Sequence, residues 1–104
     1  MKSFRIIFAP KVISELEAIH AHIAADSPQN APTMLSRILE TLESLETLPK
    51  RTLVQGQRQN EKYPVRSVPV WPYIVYFRVL DDQEVVRVVR IRHGARRQPK
   101  RFGR

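Results

Sequence analysis

Residues 73–93 read YIVYFRVLDDQEVVRVVRIRH and carry the clearest strand pattern in the sequence. Residues 73–80 are almost all β-branched or aromatic, residues 84–92 are rich in valine and isoleucine, and Asp81-Asp82 between them is a turn signal. The stretch therefore predicts a β-hairpin. Successive side chains of a strand point to opposite faces, so the first strand presents two sets: Tyr73, Val75, Phe77 and Val79 on one face, and Ile74, Tyr76, Arg78 and Leu80 on the other. Because both sets are largely apolar, we expect one face to contact helices and the other to meet a second covering surface, such as a bound partner.

A short strand and a helix are predicted at the start of the chain. Phe4, Ile6 and Phe8 alternate onto one face of a strand. Pro10 suits the first turn of a helix, where its missing N–H is no loss. The apolar stripe of that helix then recurs at spacings of four, three and four, through Val12, Leu16, Ile19 and Ile23. The helix should end near residues 26–28.

A second helix carries the next apolar stripe, which comprises Ala31, Leu35, Ile38, Leu42 and Leu45. Its cap is either Ser27 or Asn30, and Pro32 favours the later start because a proline deeper in a helix costs a backbone hydrogen bond. Leu48-Pro49 should end it. The short connection predicts that the two helices pack as an antiparallel hairpin.

The remaining segments complete an α+β fold. Residues 50–64 are polar and predict a surface loop, and Val65–Val70 predicts an edge or bulged strand because it contains Pro69. The order is therefore β-α-α-β-β-β, with an antiparallel sheet packed against the N-terminal helical hairpin. We expect one domain over residues 1–104, with a basic and irregular tail over residues 94–104.

Charge and composition narrow the classes of function. The net charge is +8. Residues 1–50 carry five basic and six acidic side chains, whereas residues 51–104 carry thirteen basic and four acidic ones. This asymmetry predicts either a polyanionic partner or a solvated basic tail. The absence of cysteine excludes disulfides and thiolate metal sites, and no apolar run is long enough for a membrane span or a signal peptide. We therefore expect a cytoplasmic protein.

Few residues suggest chemistry on their own. His20 and His22 point to different sides of the first helix and are interpreted as boundary residues. His93 lies among arginines, and it is either a general base or a strand-end residue bonded to the backbone. No catalytic triad, glycine-rich phosphate loop, metal site or cofactor site is predicted. Basic and aromatic side chains on three adjacent strands could bind nucleic acid or form a solvated face: Arg66, Tyr73, Tyr76, Arg78, Arg87, Arg90 and Arg92.

Two runs together resemble a known superfamily. Residues 71–79 read WPYIVYFRV, and residues 88–96 read VVRIRHGAR. With the upstream helical pattern, they resemble the toxins of the RelE/ParE superfamily over residues 4 to 97, and the ending His-Gly-Ala-Arg is similar to the ParE-type plasmid-stabilisation branch. The resemblance implies a toxin that a cognate antitoxin neutralises through an acidic, partly disordered segment. It also implies that the two proteins form a toxin–antitoxin hetero-oligomer and that neither binds a membrane.

The resemblance implies two alternative targets. ParE-like members inhibit DNA gyrase and are not nucleases, whereas RelE-like members cut messenger RNA on the ribosome. The ParE-like alternative is favoured because Ile74 stands where RelE-like sequences commonly have an arginine. If the chain were a nuclease, its catalytic residues would be Arg66, Arg78 and His93. The residues expected to bind the target or partner are Arg66, Tyr73, Tyr76, Arg78, Arg90, Arg92, His93, Arg96 and Arg97.

Overall fold

A computed structural model describes residues 3–94. Its helices and strands are β1 (Arg5–Phe8), α1 (Pro10–Asp26), α2 (Ala31–Ser44), β2 (Leu53–Gly56), β3 (Val65–Val70), β4 (Tyr73–Leu80) and β5 (Val85–His93). The five strands form one sheet in the order β1-β5-β4-β3-β2. The predicted α+β class with an N-terminal helical hairpin is confirmed. One strand differs in direction, because β1 runs parallel to β5 while the other pairs are antiparallel.

Helix α1 forms where its apolar stripe predicts it. Pro10 occupies the first turn, and Val12 and Ile19 are buried against the sheet. Leu16 and Ile23 pack against the same core from its margin. The helix ends at Asp26, and the next residue donates its backbone N–H to the Ile23 carbonyl at 2.8 Å.

Helix α2 begins at Ala31, which is the later of the two predicted starts. It ends at Ser44 rather than at Leu48-Pro49. Leu48 has a positive φ of 48°, so an α-helix could not have continued through this residue. The guanidinium of Arg51 then donates to the carbonyls of Thr47, at 2.8 Å, and of Leu48, at 3.0 Å.

The segment predicted as a loop contains a strand. β2 pairs with the first half of β3, and the register is interrupted between Val54 and Gly56. All four β2 residues are exposed, so the strand has no buried face, and its sequence lacks the alternating pattern from which a strand is predicted. β3 is consequently an edge strand only at Val68–Val70, and Pro69 lies in that uncovered half, where its missing N–H breaks no ladder.

The sheet has two unequal buried faces. The face toward the helices buries Tyr73, Val75, Phe77 and Val79, as alternation predicts. The opposite face buries a small cluster of Val65, Tyr76 and Val89, which the half-buried Ile74 flanks.

The chain itself supplies part of the second covering surface that the sequence predicts for this face. The Arg78 guanidinium donates to the Tyr63 carbonyl at 2.6 Å and to the Glu61 carboxylate at 2.8 Å. These bonds hold the segment before β3 against the sheet, and Tyr76 is only 1% exposed in the chain alone. The expected second covering surface is therefore formed in part by the chain's own segment before β3, which buries Tyr76 without a partner.

Within residues 3–94, no helix is both long and apolar enough to cross a bilayer.

Candidate functional site

One edge of β5 is open because β1 is short. β1 pairs only with Val85–Val88, and the Ala9 N–H then donates to the Val88 carbonyl at 2.9 Å. Pro10 starts α1 at this point and turns the chain away from the strand direction. Residues 89–93 of β5 therefore continue past the end of β1, and α1 packs alongside them.

A β-bulge at Val89 changes which arginines share a face. Phe77 pairs with Val88 and Tyr76 pairs with Arg90, so Val89 is an extra residue in β5. Without the bulge, Arg87 and Arg90 would point to opposite faces, because they are three residues apart. The bulge brings both to the face that Tyr76 occupies, next to the open edge of β5.

A carboxylate from α1 covers this open edge. Glu15 Oε2 accepts a hydrogen bond from Arg90 Nε at 2.8 Å, and Glu15 Oε1 accepts one from the backbone N–H of Ile91 at 2.8 Å. The Arg90 and Glu15 side chains are 19% and 20% exposed. Both bonds involve an ionised group and are largely screened from water, which makes them stronger than neutral hydrogen bonds. The guanidinium and the edge N–H thus form a two-donor site for one carboxylate.

The space around this pair is a groove of about 210 Å³ between α1 and β5, which we call the edge groove. Its lining comprises Glu15, Ala18, Ile19, His22, Tyr73, Arg90, Ile91, Arg92 and His93. Beyond His22 it adjoins a mostly apolar hollow of about 310 Å³, which Ile23, Met34 and Pro72 line together with Asp26, Ser27 and Asn30. The groove therefore has a cationic end and an apolar end.

His93 lies where the two parts of the groove meet. Its ring packs edge-on against Tyr73, with ring centroids 5.5 Å apart and planes at 79°. His22 lines the groove opposite them, although the sequence assigned it only to the boundary of a helix. No sequence signal could have found it, since its role depends on how α1 crosses β5.

Gly94 follows His93, and the Trp71 ring approaches its backbone too closely for any side chain at this position. Its N–H donates to the Pro72 carbonyl at 2.7 Å. A Cβ at this position would lie 2.6 Å from Cζ3 of Trp71 and 3.2 Å from the Pro72 carbonyl oxygen. The glycine of the His-Gly-Ala-Arg motif therefore lets the Trp71 indole lie against the end of β5.

Two of the other predicted site residues have structural partners. Arg78 is bonded to Tyr63 and Glu61, as described above. Arg66 donates from Nη1 to the carbonyls of Lys50, at 3.1 Å, and Thr52, at 2.9 Å, and its buried Nε has no acceptor within residues 3–94. Arg66 thereby ties β3 to the turn that precedes β2.

The tip of the β4–β5 hairpin holds the same segment that Arg78 binds. Asp82 accepts a short hydrogen bond from the Tyr63 hydroxyl and pairs with Lys62 at 3.3 Å. The Tyr63 hydroxyl is the main reason that the pKa of Asp82 lies below its ordinary value. The bond to Asp82 likewise raises the pKa of Lys62. The pKa of Glu61 is lowered, first because its carboxylate accepts the Arg58 backbone N–H.

The structure does not bring the three nuclease candidates together. Arg66 pairs with Phe77, so its side chain starts on the helix side of the sheet, whereas Arg78 belongs to the opposite face. His93 pairs with Tyr73 at the far end of β4. Tyr73 lies four residues before Phe77 on β4, so the two positions are about 13 Å apart along the strand.

The remaining predicted residues divide by location. Tyr73, Arg90 and Arg92 line the edge groove with His93, whereas Tyr76 is buried in the small cluster. Arg96 and Arg97 lie outside the described residues. In the described part of the chain, no three histidine or carboxylate side chains are close enough to hold a metal ion.

Comparison with known proteins gives consistent matches. The family described as "ParE toxin of type II toxin-antitoxin system, parDE" matches residues 6–98. Toxin RelE2 of Caulobacter vibrioides is 30% identical over 92 residues, which cover 88% of this chain and 97% of that protein. The chromosomal ParDE toxin–antitoxin system from P. aeruginosa has a similar structure, with a TM-score of 0.67 at 21% identity, covering 88% of this chain and 96% of that one. The archaeal RelE–RelB complex from Pyrococcus horikoshii has a TM-score of 0.66 at 14% identity, covering 91% and 99%. Both solved structures thus share the fold described above.

Proposed function

This chain belongs to the ParE toxin family of type II toxin–antitoxin systems, within the RelE/ParE superfamily, and we propose that it acts by binding DNA gyrase rather than by cutting RNA. The observation that carries this proposal is the separation of Arg66, Arg78 and His93. Cleavage of a phosphodiester needs a proton-transfer group within hydrogen-bond reach of the reacting hydroxyl, and cations at the same phosphate. Arg78 lies on the opposite face of the sheet from Arg66, and His93 lies about 13 Å along the strand from the level of Arg66, so the three residues do not meet that requirement.

Ile74 supports the same proposal. It stands where RelE-like sequences commonly have an arginine, and it packs against the small cluster of Val65, Tyr76 and Val89. An arginine there could hold a phosphate, whereas isoleucine completes an apolar surface. This position therefore contributes to packing and not to phosphate binding.

We further propose a cognate antitoxin as the natural partner, in a cytoplasmic toxin–antitoxin hetero-oligomer. The similar solved structures are described as a ParDE toxin–antitoxin system and a RelE–RelB complex. The outer side of the helical hairpin carries a hollow of about 430 Å³, lined by Ile13, Leu16, Glu17, His20 and Leu35. Ile13 is 49% exposed there. An amphipathic segment with acidic residues would cover this apolar surface and complement the charge of +8.

A supercoiling assay with purified gyrase tests the proposed target. The purified chain should block supercoiling, or trap cleaved DNA, in proportion to the amount added. The same chain mixed beforehand with its proposed cognate antitoxin should have no effect, and this mixture is the matched control. Normal supercoiling at a stoichiometric excess of toxin over gyrase would contradict the proposal.

A ribosome-dependent endoribonuclease is the alternative. The 30%-identical relative named Toxin RelE2 favours it, as does the position of His93 beside Arg92 and His22 in one groove. Primer extension on translated messages should then show new breaks. His93→Ala should remove them, whereas His20→Ala should not, because His20 is exposed on α1 outside the edge groove. Growth arrest without breaks would reject the nuclease.

A further inference from the structure

Residues 57–64, which we call the strap, connect β2 to β3 and are bonded to the outer face of the sheet, the face away from the helices. We propose that the strap opens and closes as a unit, and that the closed strap prevents Arg78 and Tyr76 from contacting the target of the protein. That this target is gyrase rests on the proposed function, whereas the opening of the strap does not depend on it.

The strap has no core of its own and no backbone ladder to the sheet. Residues 57–60 are exposed, and none of residues 57–64 is fully buried. In the described part of the chain, its one backbone–backbone hydrogen bond is internal, from the Glu61 N–H to the Arg58 carbonyl at 3.0 Å. Segments with few buried contacts and an exposed backbone open at low cost while the elements around them stay folded.

Two residues of the β4–β5 hairpin hold the strap in place. Arg78 donates to the Tyr63 carbonyl at 2.6 Å and to the Glu61 carboxylate at 2.8 Å. Asp82 accepts the Tyr63 hydroxyl and pairs with Lys62 at 3.3 Å. The Lys62 and Asp82 side chains are 71% and 52% exposed, and exposed pairs contribute little to stability. The strap is therefore held by a few side-chain bonds, of which those at Asp82 face solvent.

Both ends of the strap are fixed in the sheet, so it can move without unfolding a strand. Gly56 at the end of β2 pairs with Val65 at the start of β3, and this pair closes the loop. The space beside Gly56 is open, since a Cβ at this position would meet no atom within 4 Å. The strap therefore has room to swing away from the sheet about this pair.

Opening of the strap would change the charge of the outer face. Arg78 lies directly opposite Arg87 on the neighbouring strand, and like charges in such positions repel each other. In the closed form, the Glu61 carboxylate offsets this repulsion through its ion pair with Arg78. Within residues 3–94, Arg87 has no hydrogen bond or ion pair. An open strap thus presents two adjacent guanidinium groups beside Tyr76, which suits a target surface that carries an anionic group.

A strap of this kind links exposure to affinity. A site that is open in only a fraction of the molecules binds its target with an affinity reduced by that fraction. While the open fraction stays small, a change that raises it about tenfold should increase both the accessibility of the covered face and the affinity for the target about tenfold. This shared factor distinguishes a strap that controls binding from a loop that only moves.

A single introduced thiol can report the opening, because the chain contains no cysteine. Val65→Cys places the thiol next to the strap, where the native side chain is 2% exposed and belongs to the small cluster with Tyr76. When opening is fast relative to labelling, the rate of reaction with a soluble disulfide reagent is proportional to the open fraction. Asp82→Asn in this background should raise the rate about fivefold or more, because it weakens both bonds at the hairpin tip.

Asp81→Asn is the matched control. It removes the same charge from the same hairpin tip, but Asp81 pairs with Lys50, which precedes β2 and lies outside the strap. It should change the labelling rate by less than about twofold, since an exposed pair elsewhere contributes little. Equal rates for the Asp81 and Asp82 variants would overturn the proposal.

Tyr63→Phe decides the question if Asp82→Asn does not fold. It removes only the hydroxyl that bonds to Asp82 and keeps the ring. It should also label faster than the Val65→Cys parent, and an unchanged rate would overturn the proposal.

The supercoiling assay tests whether the strap controls binding. In the chain without introduced cysteine, Asp82→Asn should block supercoiling at a toxin concentration that is lower by the factor measured in labelling, whereas Asp81→Asn should act at the unmodified concentration. Faster labelling with an unchanged inhibitory concentration would overturn the control of Arg78 and Tyr76 by the strap. If the unmodified chain does not inhibit gyrase, the proposed target is wrong, and the same comparison is made on growth arrest after induced expression, which does not depend on the identity of the target.

Discussion

Replacement of Leu42 by alanine should reduce the stability of the protein far more than the same replacement at Leu39. The two leucines are three residues apart on α2. Leu42 is 2% exposed and belongs to the core beneath the sheet, whereas Leu39 is 46% exposed. The change in helix propensity is the same at both positions and cancels in the comparison.

The expected magnitudes follow from burial. A fully buried leucine loses about 3–4 kcal/mol on truncation to alanine, because the transfer term and the cavity add. Leu39 is half covered and leaves no enclosed cavity, so its replacement should cost about 1 kcal/mol. Against a typical total of about 5–15 kcal/mol, the Leu42 change removes a large share of the stability.

Urea unfolding followed by far-ultraviolet circular dichroism measures both effects. With a slope of about 1.5 kcal/mol/M, the midpoint should fall by about 2 M for Leu42→Ala and by less than about 1 M for Leu39→Ala. Equal midpoints for the two variants would refute the assignment of the α2 face that packs on the sheet. The same result would also contradict the placement of the side chains on the helix side of the sheet.

Three further expectations concern the site and its surroundings. Gly94→Ala should displace the Trp71 indole and shift its fluorescence maximum, since the new methyl group would lie 2.6 Å from the ring; an unchanged spectrum would contradict the contact. Arg78→Met should free the Tyr63 carbonyl and speed amide exchange in the segment before β3, without the same increase in β5. Because the pKa of Asp82 is lowered in the folded chain, its pairing stabilises the fold at pH values above the ordinary aspartate pKa of about 3.9. This stabilisation is lost as the pH falls through the lowered pKa of Asp82. Asp82→Asn should therefore lose less thermal stability between about pH 6 and about pH 2 than the unmodified chain does; an equal loss would contradict the pairing.

The helices and the main hairpin were predictable because their signals are local and repeated. Val12 and Ile19 on α1, and Ile38 and Leu42 on α2, recur at helical spacing and are buried where that spacing requires. The hairpin over residues 73–93 combines β-branched residues with an acidic turn, and each signal supports the other.

Two features of the fold had no local signal. β2 is exposed along its whole length, so its sequence carries neither alternation nor an apolar run. The parallel direction of β1 depends on pairing with a strand about 80 residues away, which no neighbouring residue encodes.

The site could be predicted only as a set of residue types. Arg78 and Arg90 look alike in the sequence, yet one binds the chain's own loop and the other pairs with Glu15, 75 residues away. The bulge at Val89 also decides which side of the strand Arg90 occupies, and strict alternation predicts the wrong one. The arginines were therefore identifiable as important, but not by their roles.

The outermost strand has a practical consequence for anyone who handles this protein. Within residues 3–94, the far side of β2 is unpaired, and Leu53 and Val54 beside it are 68% and 48% exposed. Such an unpaired strand edge can pair with the edge of another copy, and the exposed cation Arg58, two residues past the end of β2, opposes this pairing by repulsion between copies. High salt concentrations would screen that repulsion, so the isolated chain is best stored in buffers of low ionic strength.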